Sequence, residues 1–449
     1  MRRPAQLLGL TVRTACDATV LRMRRKVTGQ DTADFHARTA ERYAELLGHS
    51  KGMLMKAGQL LSFAPINLLV APEHLPTYEE ALARLCGNVP AMEADLALAL
   101  LESELGPLQM VFAEFTPTPI AAASIGQVHA ATLRDGRPVA VKIQYPEVAD
   151  VVGGDLKNIH LLASLIDLLQ NGMSSRRTKT DIRGMAQEVS ARVAEELDYR
   201  HEASVQAEFA HLFRGHPFIH VPAVVSELCT SSVLCQELVE GLPWERALEA
   251  DQELRNRWAE SILRFLQRSA TQLGAFHADP NPGNYLFHED GGVSFLDFGC
   301  VKRLTAEELG PRIRVEQCCL AGDADGAWQA VVDSGVLRAY DPVRPEEVLA
   351  YWRGYLDVLI EDSAVQLTPA RYGEWMRRML RERPASFFRY AALPPVYALA
   401  PRVEIGTRSL IAQLNAAIDW RSIQAEYLMG AAPVTEMGAQ EQAFFGDHA

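Results

Sequence analysis

Apolar residues recur at helical spacing through most of the chain and alternate at strand spacing in only a few short stretches. Residues 31–105 read as several helices, the last being MEADLALALLESELG, which stops at Gly106-Pro107 as helices commonly do. From residue 110 Val, Thr and Ile become frequent, and HAATLRDGRPVAVKIQ predicts two strands joined by a turn at Asp135-Gly136. The polar run NGMSSRRTKT (171–180) predicts a loop, and the stretch free of Gly and Pro from Met185 to Arg214 predicts one long helix. SSVLCQELVEG (231–241) reads as a strand and its exit, DQELRNRWAESILRFLQRSATQLGAF as a helix, and NYLFHEDGGVSFLDFG as a hairpin turning at Gly291-Gly292. Most of 305–430 is again helical, and the last twenty residues have so little periodicity that they predict a loose tail.

Composition narrows the partners. With 48% hydrophobic and 22% charged residues, the 449-residue chain can bury a sizeable core. Lys plus Arg at 44 against Asp plus Glu at 57 gives 44 − 57 = −13, a field that repels phosphate backbones unless a basic patch is concentrated locally, so no nucleic-acid partner is expected. The seven cysteines (16, 86, 229, 235, 300, 318 and 319) form no C-x-x-C pair, which fits a reducing compartment and small buried hydrophobes.

The apolar run from Ala5 to Val12 contains Gln6 and is closed by Arg13, too short for a secretory signal. Ala391 to Ala400 is too short to span a membrane and carries Pro394 and Pro395. The expectation is a cytoplasmic protein, peripheral at most to the inner face of a membrane. Residues 1–30 support such contact, interleaving Arg2, Arg3, Arg13, Arg22, Arg24, Arg25 and Lys26 with apolar positions, a basic amphipathic pattern suited to an anionic surface. A solvated helix packed on its own protein explains the same pattern equally well.

Candidate chemistry sits in HADPNPGN (His277 to Asn284), followed by LDFG (Leu296 to Gly299). Phosphoryl transfer needs a carboxylate at the attacking hydroxyl and oxygen ligands that hold Mg²⁺ on the nucleotide phosphates. Asp279 and Asn284 keep the five-position interval of kinase catalytic loops, and Asp297 supplies a second carboxylate eighteen residues beyond Asp279, after a strand, a turn and a strand. The bland alternative is a helix-terminating loop in which Asp279 caps and Asn284 turns the chain. His277 is expected to pack and orient this loop, not to act as a base.

Upstream, VAVK (139–142) matches the strand whose lysine grips the α- and β-phosphates, although such a Lys alone is commonly a snorkelling edge residue. AAASIGQV (121–128) superposes on the kinase G-x-G-x-x-G-x-V turn, with Ala121 and Ala123 in place of the first two glycines and with Gly126 and Val128 retained. An alanine forced to positive φ there would cost roughly 1 kcal/mol, giving a stiffer turn. Lys142 also needs an acidic partner. Glu195, Glu196, Asp198 and Glu202 are the candidates, about sixty residues downstream and further than kinases usually place it.

The ordered set AAASIGQVH, VAVKIQYP, ELDYRHEA, HADPNPGN and DFG, preceded by KAGQ at 56–59, resembles the UbiB family of atypical protein-kinase-like proteins, which are associated with coenzyme Q biosynthesis. The resemblance covers about residues 45–305. It implies an α+β, bilobal protein-kinase-like fold: a basic segment at 1–30, a helical N-terminal extension at 31–108, an N-lobe with a helical insert at 109–240, a helical C-lobe at 241–430 and a tail at 431–449.

It further implies ATP or ADP with Mg²⁺. The nucleotide would lie under Ala121, Ala122, Ala123, Ser124, Gly126 and Val128 and against Glu237 and Val239. Asp279, Lys142 and Glu202 would take the catalytic positions, with Lys142 paired to Glu202, and Asn284 and Asp297 would hold the metal. The family's K-x-G-Q motif (Lys56, Gly58, Gln59) would meet its E-x-D motif (Glu196, Asp198) over the site and occlude a protein substrate. Lys56 and Gln59, three apart, share one helix face with Gly58 between them.

The expected work is ATP hydrolysis acting on isoprenoid lipid or quinone metabolism, or on another hydrophobic small molecule. A small-molecule phosphotransferase of the aminoglycoside-kinase type and a nucleotide-gated scaffold remain the alternatives. Paired C-terminal hydrophobic anchors, present in some relatives, are missing from the sequence. The segment after DFG offers only Thr305 and no A-P-E, so ordinary activation-loop regulation is not expected.

Overall fold

The structure, a computed structural model, describes residues 92–123, 125–146, 181–381 and 384–446. The basic segment, the K-x-G-Q residues Lys56, Gly58 and Gln59, and Ser124 lie outside the described residues.

The small lobe opens with helix α1 (Ala94–Leu105), stopped at Gly106, whose φ of 80° a side chain would strain. Strands β1 (Phe112–Phe115), β2 (Ala121–Ala123), β3 (Gly126–Leu133) and β4 (Pro138–Gln144) follow, all antiparallel where they pair. The β3–β4 turn falls at Gly136, with φ 88°, as the Asp135-Gly136 pair predicts. Because successive strand residues face opposite sides, Val139, Val141 and Ile143 of β4 pack with Ala97 and Leu101 of α1. Lys142 and Gln144 are thereby delivered to the other face, toward the helices that come next.

Those helices are α2 (Ile182–Glu196) and α3 (Tyr199–Leu212), where the sequence predicts one continuous helix. The break is chemical. Asp198 leaves helical geometry (φ −111°, ψ 99°) and its side chain accepts the Arg200 N–H at 3.0 Å, a strong N-cap. After the two-residue strand β5 (Ile219–His220), β6 (Val233–Glu237) completes the small-lobe sheet against β4.

The large lobe is built on α4 (Gln252–Leu273), capped by Asp251, whose side chain accepts the Leu254 N–H at 2.9 Å. Trp258, Ile262 and Phe265 of α4 enter a core shared with Phe209 of α3, with Phe213 just after it and with the following strands. These are β7 (Ala275–His277), β8 (Tyr285–Phe287), β9 (Val293–Phe295) and β10 (Val301–Arg303). β8 and β9 form the predicted hairpin, with Gly291 at φ 89°, while β7 pairs with β10.

The chain then runs through α5 (Ala306–Ala321), α6 (Ala324–Asp333), α7 (Pro345–Tyr355), α8 (Pro369–Arg381), α9 (Ala400–Gln413) and α10 (Trp420–Met429). The tail expected to be loose instead forms α11 (Glu436–Gly446). Its Glu441 is buried and accepts hydrogen bonds from Arg264 at 3.0 Å and Arg268 at 2.9 Å of α4. Met437 and Phe445 pack on the large-lobe core beside these ion pairs, too few apolar contacts to leave a helical period in the sequence, which is why the tail reads as loose.

Among the described residues, no helix is long and apolar enough to cross a membrane.

Candidate functional site

Lys142 enters from β4 and is only 9% exposed. Its Nζ donates to Glu202 Oε1 and Oε2 at 2.9 and 3.0 Å and to Asp297 Oδ2 at 3.1 Å. It also lies 4.9 Å from the centre of the Tyr199 ring. Burial alone would push this ammonium down, but the Asp297 and Glu202 carboxylates carry it well above its ordinary value, so it stays charged.

Of the four acidic candidates, Glu202 is thus Lys142's partner. It is placed by the Asp198 cap, which starts α3 so that Glu202, in the first turn, faces β4. Glu196 is buried nearby: a β-carbon on Gly299 would lie 3.3 Å from Asp297 Oδ1, 3.5 Å from Glu202 Oε2 and 3.7 Å from Glu196 Cγ.

Asp279 follows β7 and is buried. Asn284 Nδ2 donates to both its backbone oxygen and its Oδ2 at 3.1 Å, closing the loop on itself. Arg402 of α9 donates to the other carboxylate oxygen. His277 is buried, with Nε2 at hydrogen-bonding distance from the Asp297 carbonyl and its ring edge-on to Phe298 at 5.5 Å. Burial lowers its pKa, which suits the orienting role expected of it over that of a base.

The alanine-rich turn differs from its expectation. Ala121 to Ala123 form β2 and pair with Val128, Gln127 and Gly126, so no alanine takes a positive φ and the left-handed penalty does not arise. Gly126 is required for packing: a β-carbon there would stand 2.2 Å from the Ile143 carbonyl oxygen and 2.9 Å from the Tyr199 hydroxyl. Val128 sits opposite Lys142 in the β3–β4 register. Glu237 ends β6, and both its N–H and its carboxylate are engaged with Ala223, at 2.8 and 3.1 Å. Val239 follows, half-buried, in the segment leading to the large lobe.

After Gly299 the chain passes through β10 directly into α5. Thr305 is the N-cap of that helix, in a reciprocal capping box with Glu308. Its hydroxyl has a structural task, in line with the missing activation-loop features.

The donor set suits a hard cation. Asn284 turns its amide nitrogen to Asp279, leaving the amide oxygen as the acceptor, and Asp297 adds a carboxylate. Magnesium commonly takes one or two protein oxygens and completes its shell from phosphates and water. Among the described residues no group of three or more His, Cys, Asp or Glu is placed to hold a metal by itself.

Sequence reading missed Arg402, which lies 123 residues from Asp279 in an otherwise ordinary helix and carries no motif.

Residues 84–329 match the ABC1 atypical kinase-like domain. The chain is 34% identical over 304 residues to the mitochondrial atypical kinase COQ8B of Rattus norvegicus, covering 67% of this chain and 55% of the relative. It is 29% identical over 299 residues to the mitochondrial atypical kinase COQ8 of Saccharomyces cerevisiae, covering 66% and 57%. The chain thus spans a little over half the length of these curated relatives. Among solved structures, the Rv3197–erythromycin complex from Mycobacterium tuberculosis superposes with a TM-score of 0.59 at 28% identity, covering 89% of this chain and 97% of that one. A matched domain over more than half the chain, a bilobal kinase-like fold and an intact lysine, glutamate and aspartate set agree: this chain belongs to the ABC1, or UbiB, family of atypical kinase-like proteins.

Proposed function

We propose that the protein is a Mg²⁺-dependent ATPase whose nucleotide cycle serves isoprenoid lipid or quinone metabolism, or another hydrophobic small molecule. The observation that carries this reading is the buried Lys142, shared by Glu202 and Asp297. It is the arrangement that grips nucleotide phosphates in kinases. Asn284 and Asp297 would hold Mg²⁺, whose charge neutralises the phosphate oxygens during transfer. The Ala121–Ala123 strand and Val128 would cover the phosphates, and Glu237 and Val239 would border the base.

Both Asp279 carboxylate oxygens are held, one by Asn284 and one by Arg402, which fixes the group that would receive the proton of an attacking water or acceptor hydroxyl. The competing reading, a small-molecule phosphotransferase, draws support from the structurally similar mycobacterial protein, which was solved in complex with the macrolide erythromycin. Ordinary protein-kinase activity is disfavoured by the capped Thr305.

Phosphate release from Mg-ATP by the purified chain, with and without anionic liposomes, tests the reading. Asp297→Asn should lower release by roughly 100-fold or more. Undiminished release in that variant would remove the site assignment. Mass spectrometry of macrolides and phenolic lipids incubated with ATP would reveal a phosphorylated product only if the transferase reading holds.

A further inference from the structure

Two positions four apart on α9 press against the catalytic loop. Arg402, 3% exposed, donates to Asp279. Gly406 lies one turn further along the same face. A β-carbon at Gly406 would stand 2.2 Å from Pro280 Cγ, so only glycine lets the helix approach the residue that follows Asp279.

Within the loop, Asn284 bonds Asp279 at Oδ2 and at the backbone oxygen, and the Asn281 N–H donates to that backbone oxygen at 2.7 Å. The second carboxylate oxygen is fixed from outside, by a helix 123 residues away. Burial acts to lower the Arg402 pKa, yet Asp279 holds it above its ordinary value, so the guanidinium stays charged.

We propose that α9 supports the catalytic loop, with Arg402 as a positioning residue that fixes the Asp279 carboxylate and Gly406 as the gap that allows the contact. The kinetic part of this inference rests on the ATPase reading; the structural part does not. A carboxylate free to rotate would still sit beside bound nucleotide but would lose its alignment, and misplacement of about 1 Å can cost on the order of 100-fold in rate.

The test uses the full chain with Arg402→Gln, Arg402→Lys and Gly406→Ala. Nucleotide stoichiometry and Kd for Mg-ATP, phosphate-release kcat, and amide exchange across 277–285 and across β3–β4 are measured for each. The expected result is one site per chain with Kd within about 3-fold of the parent, while kcat falls about 10- to 100-fold in Arg402→Gln and Gly406→Ala and less in Arg402→Lys. Exchange should quicken at 277–285 and stay unchanged in β3–β4.

Unchanged kcat and unchanged loop exchange would overturn the inference. So would a Kd or stoichiometry that collapses in step with kcat, since that marks general loss of structure. If Arg402→Gln does not fold, Gly406→Ala, which alters no charge, decides alone. If the parent chain releases no phosphate, the ATPase reading fails by itself. Faster exchange confined to 277–285, with intact nucleotide binding, would then still support the α9 contact, and its absence would overturn it.

Discussion

Lys142 is a buried cation gripped by two carboxylates, Glu202 and Asp297, whereas Asp279 is a buried anion gripped by one guanidinium, Arg402, and one amide, Asn284. The first arrangement is assembled by a sheet and the helix packed on it: strand alternation aims Lys142, and the Asp198 cap aims Glu202. The second is a loop between two short strands, and one of its carboxylate oxygens is held from α9. Both sites are closed by residues far apart in the chain, but strand and helix geometry aims Lys142 and Glu202, whereas the Asp279 loop takes a contact from a packed helix.

The largest expected effect comes from breaking the lysine side. Lys142→Met leaves Glu202 and Asp297 buried without their shared cation, and should cost about 3–5 kcal/mol of stability as well as nucleotide binding. Chemical denaturation followed by a nucleotide titration checks it. A loss under about 1 kcal/mol would mean that the two acids find other partners and that this side is no more tightly built than the other.

Gly126→Ala should follow, at about 2–3 kcal/mol, because the Ile143 carbonyl it would meet is sheet backbone that cannot move aside. A melting curve matching that of the parent would show that the sheet yields more easily than its register implies.

On the large-lobe side, Glu441→Gln weakens the attachment of α11 to Arg264 and Arg268, but Glu260 and Glu426 still neutralise Arg264. About 2 kcal/mol is expected in urea unfolding. Limited proteolysis should then cut near 431–435 first, and a tail that resists cleavage equally in both proteins would contradict the ion-pair account of its docking.

The smallest effect is in pH. Burial pushes the Glu316 carboxyl up to about 7, against the pull of Arg312, and both face Glu404 of α9. The folded chain keeps this proton where the unfolded chain has lost it. Its contribution to stability is therefore full below the ordinary value of 4.5 and declines as pH rises to about 7. Glu316→Gln should flatten the decline between pH 4.5 and about 7 by on the order of 1 kcal/mol, measured by denaturant midpoints. An unchanged slope would assign the pH dependence to other groups.

Much of both sites was legible in the sequence because each motif that contributes to them is local. VAVK alternates as a strand must, Asp135-Gly136 is turn chemistry, and Asp279, Asn284 and Asp297 fall at the intervals that a loop and a hairpin impose. The α2–α3 break was missed although Asp198 marks it, because an aspartate inside an unbroken polar and apolar run looks like any solvated position until the chain is seen to leave helical geometry there. The alanine turn was misjudged by carrying a glycine conformation onto residues that instead extend as β2. The tail helix was missed because buried ion pairs and a few scattered apolar contacts hold it, with no apolar period along it.

By itself, the sequence determined the main strands, the hairpin and the intervals that separate Lys142, Asp279, Asn284 and Asp297, and its family resemblance paired Lys142 with Glu202. Only the tertiary structure decided that Lys142 also meets Asp297 and that Arg402 and Gly406 close on the catalytic loop. Those are contacts between segments far apart in the chain, fixed by how helices pack, and a buried ion pair leaves no periodic trace in either of the segments it joins.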